Sequence, residues 1–314
     1  MRLSDYTIGD EEKILQLFKA AFGKDMSPAY WKWRFQDNPA GKHMIKLMWD
    51  EDKLVGHYAV SPVLLNLNKK KVLTSLSMTT MTHPEYGGRG IFGELATALY
   101  KDLEEKYQVK AVWGFPNNNS HYAFVQKLGW KNIGLAHTIV CSGEKISRPE
   151  NVPVNVLDDF TLRHAEILQT EVGKFDISVD RSIDYLRWRY LQNPSHKYKI
   201  FEVKGEEGNA LAVAKKYVDP TGKMSVNIME IGGTTSPKLL GQLIGAISHH
   251  FSGSPLDCTM WLSLFDRRYA LFEKLGFIPS GQTTYLGFYS NFDVAGTMAD
   301  FRNWYYSFGD SDVY

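Results

Sequence analysis

Apolar positions in the first half of the chain follow two periods. A recurrence every three to four residues predicts helices, and short apolar runs separated by polar turns predict strands over residues 44–82 and 111–115. The helices are predicted at residues 10–22, 27–37, 90–106 and 121–128. This order of elements predicts an α+β fold in which a mixed sheet is flanked by helices.

The chain contains an internal repeat. Residues 30–39 (YWKWRFQDNP) match residues 185–194 (YLRWRYLQNP), and residues 122–130 (YAFVQKLGW) match residues 269–277 (YALFEKLGF). Two matches in the same order indicate two copies of one fold. The alternative is two pairs of amphipathic helices that look alike without being related.

The repeat predicts a division of the chain into two domains, residues 1–142 and 160–314. Residues 143–159 are predicted to be a linker, because they contain two prolines and little periodicity. The aromatic-rich tail at residues 301–308 is expected to dock on the second domain.

Composition narrows the possible classes of function. The 314 residues include 36 Lys and Arg against 35 Asp and Glu, a formal net charge of +1, which argues against nucleic acid or an anionic membrane as the main partner. The two cysteines form neither a disulfide framework nor a metal motif, and no apolar run resembles a signal peptide or a membrane span. A cytoplasmic protein without a metal or membrane insertion is therefore expected.

A glycine-rich loop at residues 83–93 (HPEYGGRGIFG) lies between a predicted strand and a predicted long helix. Glycines let backbone N–H groups converge, and the positive end of the helix dipole meets them there, which predicts a phosphate cradle. The alternative is a tight turn in which the glycines are needed only for the backbone conformation.

Gly88, Gly90 and Gly93 also match the dinucleotide-binding spacing of an oxidoreductase. That motif belongs in a first βαβ unit, so we treat the match as accidental.

The loop resembles the acyl-CoA signature of the GNAT acyltransferase superfamily, [Gln/Arg]-x-x-Gly-x-[Gly/Ala]. Gly90 matches the central glycine, whereas Gly87 and Phe92 depart from the first and last positions. The similarity covers residues 1–142 and extends through the repeat to residues 160–290. It implies two tandem GNAT-like domains related by duplication, with one acyl-CoA site, since the second copy lacks the Gly-x-Gly loop.

The resemblance also implies which residues meet the acyl-CoA. The thioester oxygen usually meets a backbone N–H of the fourth strand, here near Met81 and Thr82, and an asparagine at the position of Asn118 commonly contacts the cofactor. The loop residues implied to bind acyl-CoA are Gly87, Gly88, Arg89, Gly90, Ile91, Phe92 and Gly93.

The acid and base that are frequent in this superfamily are absent. Residues 73–82 contain no glutamate, and Val125 stands where the acidic tyrosine is usual. His121, Tyr122 and His57 are therefore the candidate catalytic residues, because imidazole and phenol groups can exchange a proton. The alternative is that local hydrogen bonds satisfy these side chains and that water or the substrate takes the proton.

Trp33 and Arg34, with their counterparts Trp188 and Arg189, leave two interpretations open. Aromatic residues at helical spacing usually belong to the core, beside arginines that bridge to other groups. The functional alternative is an arginine that meets a substrate phosphate and an aromatic ring that stacks on a base.

The elements at residues 31–39 and 114–117 resemble bacterial tandem-GNAT enzymes that acylate nucleotide-linked amino sugars for surface polysaccharides. The resemblance implies transfer from acetyl-CoA or a longer acyl-CoA to the primary amine of a small, dTDP-type amino sugar. An N-acetyltransferase for a peptide or small amine, and an acyl-CoA sensor without turnover, remain open alternatives. The oligomeric state is open, with a monomer as the working expectation.

Overall fold

The protein is described from a computed structural model, which describes residues 1–147, 153–312 and 314. The chain forms two compact units. Unit 1 comprises Met1–Leu65, Lys70–Gly134 and Tyr285–Asp300. Unit 2 comprises Asn66–Lys69, Leu135–Thr284 and Phe301–Tyr314.

The helices and strands of the described residues are labelled in chain order. The strands are β1 (Arg2–Asp5), β2 (Met44–Asp50), β3 (Lys53–Leu67), β4 (Lys70–Thr82), β5 (Val112–Gly114), β6 (Lys131–Cys141), β7 (Val154–Leu157), β8 (Ile177–Val179), β9 (Lys199–Gly205), β10 (Gly208–Val218), β11 (Met224–Gly233), β12 (Cys258–Trp261) and β13 (Ile278–Tyr289). The helices are α1 (Glu11–Phe22), α2 (Pro28–Phe35), α3 (Ile91–Glu105), α4 (Asn118–Leu128), α5 (Leu162–Val172), α6 (Ile183–Leu186), α7 (Pro237–His250), α8 (Tyr269–Lys274) and α9 (Ala295–Met298). The helices predicted in the first half agree with α1 to α4 and the predicted strands with β2 to β5, whereas the short, polar β1 was missed.

The sheet of unit 1 is mixed. β1, β2, β3 and β4 are neighbours in that order, and β5 lies next to β4 and runs parallel to it, with Ser75 opposite Val112. The end of β13 pairs antiparallel with β5 on its other side, with Gly287 opposite Gly114. The three-residue strand β5 is therefore bonded along both of its edges.

Helices cover both faces of this sheet. Side chains alternate along a strand, so Ala59 of β3 packs with α1 and α2, whereas its neighbours Tyr58 and Val60 pack with α3 and α4. The predicted fold class, a mixed sheet flanked by helices, is confirmed.

Unit 2 has the same order of strands. β7, β9, β10 and β11 are antiparallel neighbours, and β12 is parallel to β11, with Val226 opposite Cys258. The end of β6 then pairs antiparallel with β12, with Cys141 opposite Cys258. The repeated motifs predict this shared order, while a common origin of the units by duplication stays a prediction.

The units divide the chain differently from the predicted domains, 1–142 and 160–314. β6 begins in unit 1 and passes into unit 2 after Gly134, while β13 begins in unit 2 and ends in unit 1 from Tyr285 onward. An apolar pattern specifies a strand but not the neighbour with which it pairs. The sequence pattern therefore could not show in which unit each of these two strands ends.

The predicted linker, residues 143–159, is partly structured. Gly143–Lys145 form a 3-10 turn, and Val154–Leu157 form β7, which pairs with β9 in unit 2. Residues 148–152 of the predicted linker lie outside the described residues.

The aromatic-rich tail belongs to unit 2. Trp304 and Phe308 are buried. The backbone N–H of Tyr305 donates to the carbonyl of Ile177 at 2.8 Å. The tail is therefore held by both core contacts and a backbone bond to β8.

A buried ion cluster fixes the tail next to β11. Arg181 has no exposed surface, and its guanidinium lies 2.9 Å from a Glu230 oxygen and 2.8 Å from an Asp310 oxygen. Tyr190 donates to Glu230 at 2.7 Å. Burial raises the pKa of the Glu230 carboxyl, and Arg181 opposes that shift.

We expect Arg181→Met to destabilise the protein by about 3–5 kcal/mol, because it removes the shared cation and leaves two buried carboxylates. Arg187→Met is the matched control, since the Arg187–Asp159 pair at 2.7 Å is largely exposed and should contribute little to stability. Urea unfolding of both variants measures the difference. Equal losses would contradict a special role for the cluster.

Candidate functional site

The glycine loop of unit 1 joins the end of β4 to the start of α3. Gly88 and Gly90 have φ values of 77° and 79°, which L side chains rarely adopt. A Cβ placed on Gly88, Gly90 or Gly93 would meet no described atom within 4 Å. This surface of the loop is therefore open to a ligand.

The first turn of α3 has free donors beside the loop. Gly90 is the N-cap of α3, and no described side chain caps the N–H groups that follow it. The corresponding helix of unit 2, α7, is capped by its own Ser236, which accepts from the N–H of Leu239 at 3.3 Å. Unit 1 thus offers an open helix N-terminus of the kind that binds phosphate.

The side chains that follow Gly90 turn into the core. Ile91 is buried, and the ring of Phe92 packs edge-on to Tyr58 and Phe124, with centroids 5.6 Å and 5.2 Å away. Phe92 therefore leaves the open side of the loop free, even though the family signature has a small residue there.

The pairing of β4 with β5 ends before this loop. Among the described residues the two strands pair only at Ser75 with Val112 and at Leu76 with Trp113. In the described ladder, the later residues of β4 therefore have no partner on β5, which leaves backbone donors and acceptors available along that edge. Met81 and Thr82 lie in this stretch, and the Met81 side chain is buried, so Met81 can contribute its backbone.

β4 also contains a distorted residue, Thr79, that sequence reasoning missed. Its φ of 48° is left-handed, and the carbonyl of Thr79 accepts a hydrogen bond from Nδ1 of His57 at 2.8 Å. Threonine is rare in this conformation, so no sequence signal could have located it.

His57 is fully buried, and burial lowers its pKa to about 4. The imidazole is therefore neutral near pH 7, with its proton on Nδ1. The prediction of His57 as a catalytic group needs correction, because the ring has no exposed surface from which to reach a substrate.

His121 lies in the first turn of α4 and stacks on Tyr285, at 3.7 Å between ring centroids and 16° between planes. Its Nε2 is buried and has no partner among the described residues. Tyr285 comes from the segment of β13 that belongs to unit 1, so its place beside His121 depends on the tertiary fold.

A family model describing the GNAT acetyltransferase domain matches residues 2–133. This match covers the glycine loop, the β4–β5 pairing and His121. Together with the fold, this match supports an acyltransferase whose co-substrate is an acyl-CoA.

Solved structures share the fold over most of the chain. A GCN5-related N-acetyltransferase from Anabaena variabilis is 14% identical, with a TM-score of 0.68 over 91% of this chain and 72% of that chain. One from Kribbella flavida is 15% identical, with a TM-score of 0.64 over 91% of this chain and 70% of that chain. Eis1 from Mycobacterium abscessus is 12% identical, with a TM-score of 0.62 over 96% of this chain and 76% of that chain. No curated protein sequence matches the chain.

The remaining predicted residues of the GNAT domain differ in their surroundings. Arg89 is exposed, and its guanidinium lies 4.5 Å from the ring centroid of Tyr86. Tyr122 is 67% exposed. Asn118 is exposed at the start of α4, whereas Asn117 caps that helix by accepting from two backbone N–H groups at 3.0 Å. The contact of Asn118 with the cofactor stays a prediction.

The Trp-Arg pairs are core residues. Arg34 is buried and donates to Sδ of Met78 at 3.3 Å. Arg189 is also buried, and it donates to the carbonyl of Gly309 at 2.9 Å. This burial favours the structural interpretation over a substrate-phosphate contact.

Neither a metal cluster nor a membrane span is found in the part of the chain that the structure describes. No group of three or more His, Cys, Asp or Glu there could hold a metal ion, and none of its helices is long and apolar enough to cross a membrane.

We expect Gly90→Val to weaken CoA binding at least about tenfold, because its side chain would enter the open side of the loop and its φ would become strained. Gly253→Val is the matched control, since Gly253 has a φ of 72°, equally open surroundings and a place in unit 2. Calorimetric titration with CoA measures both variants. Unchanged affinity in folded Gly90→Val would refute the phosphate cradle.

Proposed function

We propose that this chain transfers an acyl group from acyl-CoA to the primary amine of a small acceptor. The observation that carries the proposal is the early end of the β4–β5 pairing, followed along β4 by an open glycine loop and a helix N-terminus that no described side chain caps. Phosphates would bind the N–H groups of the loop and of α3, and the amides of the pantetheine arm would pair with the free edge of β4.

The reaction breaks one bond and forms another. The amine nitrogen attacks the thioester carbon, a C–N bond forms, and the C–S bond breaks to release CoA as a thiolate. A thiol with a pKa near that of cysteine, about 8.5, can leave in this form without a strong acid. The amine proton must pass to a base or to water.

His121 is the residue proposed to accept that proton. It lies one helical turn before Val125, on the same face of α4, where the superfamily usually has its tyrosine. The stacked Tyr285 orients its ring, and the unpartnered Nε2 can accept a proton. Tyr122 is a weaker candidate, because its side chain is exposed and no described residue is recorded orienting it.

A nucleotide-linked amino sugar of the dTDP type, used in surface-polysaccharide synthesis, is the acceptor we propose. The sequence resemblance at residues 31–39 and 114–117 supports this acceptor. The net charge of +1 also agrees with it, because such a charge does not favour a polyanionic or a polycationic partner. The buried Trp33 and Arg34 do not supply its phosphate contact. A peptide or small-amine acceptor and a sensor without turnover are the alternatives that the experiment separates.

The test is thiol release from acetyl-CoA and from a longer hydroxyacyl-CoA. The acceptors are a panel of nucleotide-linked amino sugars, with a polyamine and a lysine peptide as comparisons. Release with an amino sugar alone supports the full proposal, and release with only the polyamine or peptide reassigns the acceptor. CoA binding without thiol release from any of these acceptors would favour the sensor.

We expect His121→Ala to lower kcat about 10²–10⁴-fold and to remove the pH dependence that the imidazole contributes to kcat/KM. Gln126→Ala, at an exposed position on the same helix, is the control and should leave both quantities unchanged. Steady-state thiol release over a range of pH measures both. An unaltered pH profile in His121→Ala would exclude this histidine as the base.

A further inference from the structure

The strain in β4 is local and needs an explanation. Thr79 has a φ of 48° inside a strand, although its neighbours are extended enough for β4 to continue to Thr82. A left-handed conformation costs a residue with a Cβ about 1–2 kcal/mol, and such residues persist only where the surroundings hold them. The surroundings of Thr79 should therefore include a group that stabilises this conformation.

His57 supplies that stabilisation. It lies on β3, the neighbour of β4, and its Nδ1 donates to the carbonyl of Thr79 at 2.8 Å. The ring is fixed from the other side by Phe35 of α2, edge-on at 6.3 Å between centroids. A rigid, fully buried donor thus holds one particular carbonyl of the distorted strand.

Stability alone does not account for a histidine at this position. Its Nε2 is buried and has no hydrogen-bond partner in the described part of the chain, and such a group is costly to bury. An apolar side chain of similar size would avoid that cost. The bond to Thr79 is the feature that an apolar residue could not provide.

The bond also orients the next donor of β4. A trans peptide unit is planar, so its C=O and N–H point in opposite directions. Since the carbonyl of Thr79 points towards His57, the N–H of Thr80 points away from it. This peptide lies beyond Leu76, the last residue of β4 that pairs with β5.

We propose that His57 is a positioning residue that holds the Thr79 peptide so that the N–H of Thr80 meets the thioester carbonyl of acyl-CoA. This inference rests on the proposed function of the same site. The N–H would stabilise negative charge that develops on the carbonyl oxygen during attack by the amine. His57 itself would touch neither acyl-CoA nor acceptor.

Two variants at position 57 separate this role from a structural one. His57→Leu removes the donor and keeps an apolar volume, whereas His57→Asn keeps an N–H donor near the position of Nδ1. We expect kcat to fall at least about tenfold in His57→Leu, with the KM for acyl-CoA changed less than about threefold, and to recover substantially in His57→Asn.

A second site provides a rescue. Glycine adopts positive φ without a Cβ penalty, so Thr79→Gly reduces the need for His57 to hold the peptide. The double variant His57→Leu/Thr79→Gly should therefore recover part of the kcat lost in His57→Leu. If His57→Leu does not fold, the proposal is tested by comparing kcat of His57→Asn and of Thr79→Gly with kcat of the wild type. A tenfold loss in folded His57→Asn would count against it.

Ligand binding without an acceptor distinguishes this inference from the proposed function. Acetyl-CoA carries the thioester carbonyl and CoA does not, so the wild type should bind acetyl-CoA about 2–3-fold more tightly, and His57→Leu should lose this difference. That result supports the positioning role even if no tested amine is acylated. Binding of neither ligand by the wild type would overturn both proposals. Unchanged kcat and an unchanged affinity ratio in folded His57→Leu would overturn the positioning role alone.

Discussion

The short parallel pairing between β4 and β5 is the constraint on which unit 1 depends. Two residue pairs join the strands in the described ladder, and β4 then continues to Thr82 beyond the last pair. Unpaired backbone groups are costly where water cannot reach them, so β5 needs a partner on its other edge. The end of β13 provides that partner, and it also brings Tyr285 onto His121. One strand pairing thus supports both the short strand β5 and the position of His121.

The candidate site is built mainly from backbone groups. The side chains of Met81, Ile91 and Phe92 point into the core, while the loop glycines and the start of α3 face open space. A site of this kind tolerates changes in its signature, provided that the new side chain can turn inward. This explains how Phe92 can stand where the superfamily usually has glycine or alanine.

In unit 2, the strand that corresponds to β4 is β11, and its side chains take part in a buried ion cluster. β11 carries an extra residue at Met229, because Val213 lies opposite Glu230 while Ala214 lies opposite Ile228. Glu230 is committed to Arg181 and Tyr190, and Asp310 of the tail joins the same cluster. These contacts, together with the Ser236 cap of α7, support the proposal of one acyl-CoA site, in unit 1.

The sequence was sufficient for the features that depend on local chemistry. Apolar periods predicted the main helices and strands of the first half, the repeated motifs predicted two copies of one fold, and the loop glycines predicted a turn on which backbone N–H groups converge. Each of these follows from the preferences of neighbouring residues. The surroundings of the predicted catalytic residues could not be predicted from neighbouring residues.

Tertiary structure decided which strands pair and which side chains meet. The apolar pattern could not assign the ends of β6 and β13 to a unit. A strand has the same apolar pattern whichever neighbouring strand it pairs with. The left-handed Thr79, the buried His57 beneath it and the stacking of Tyr285 on His121 all join residues distant in the chain. Such contacts depend on the free energy of the whole packed sheet, so local sequence preferences do not encode them.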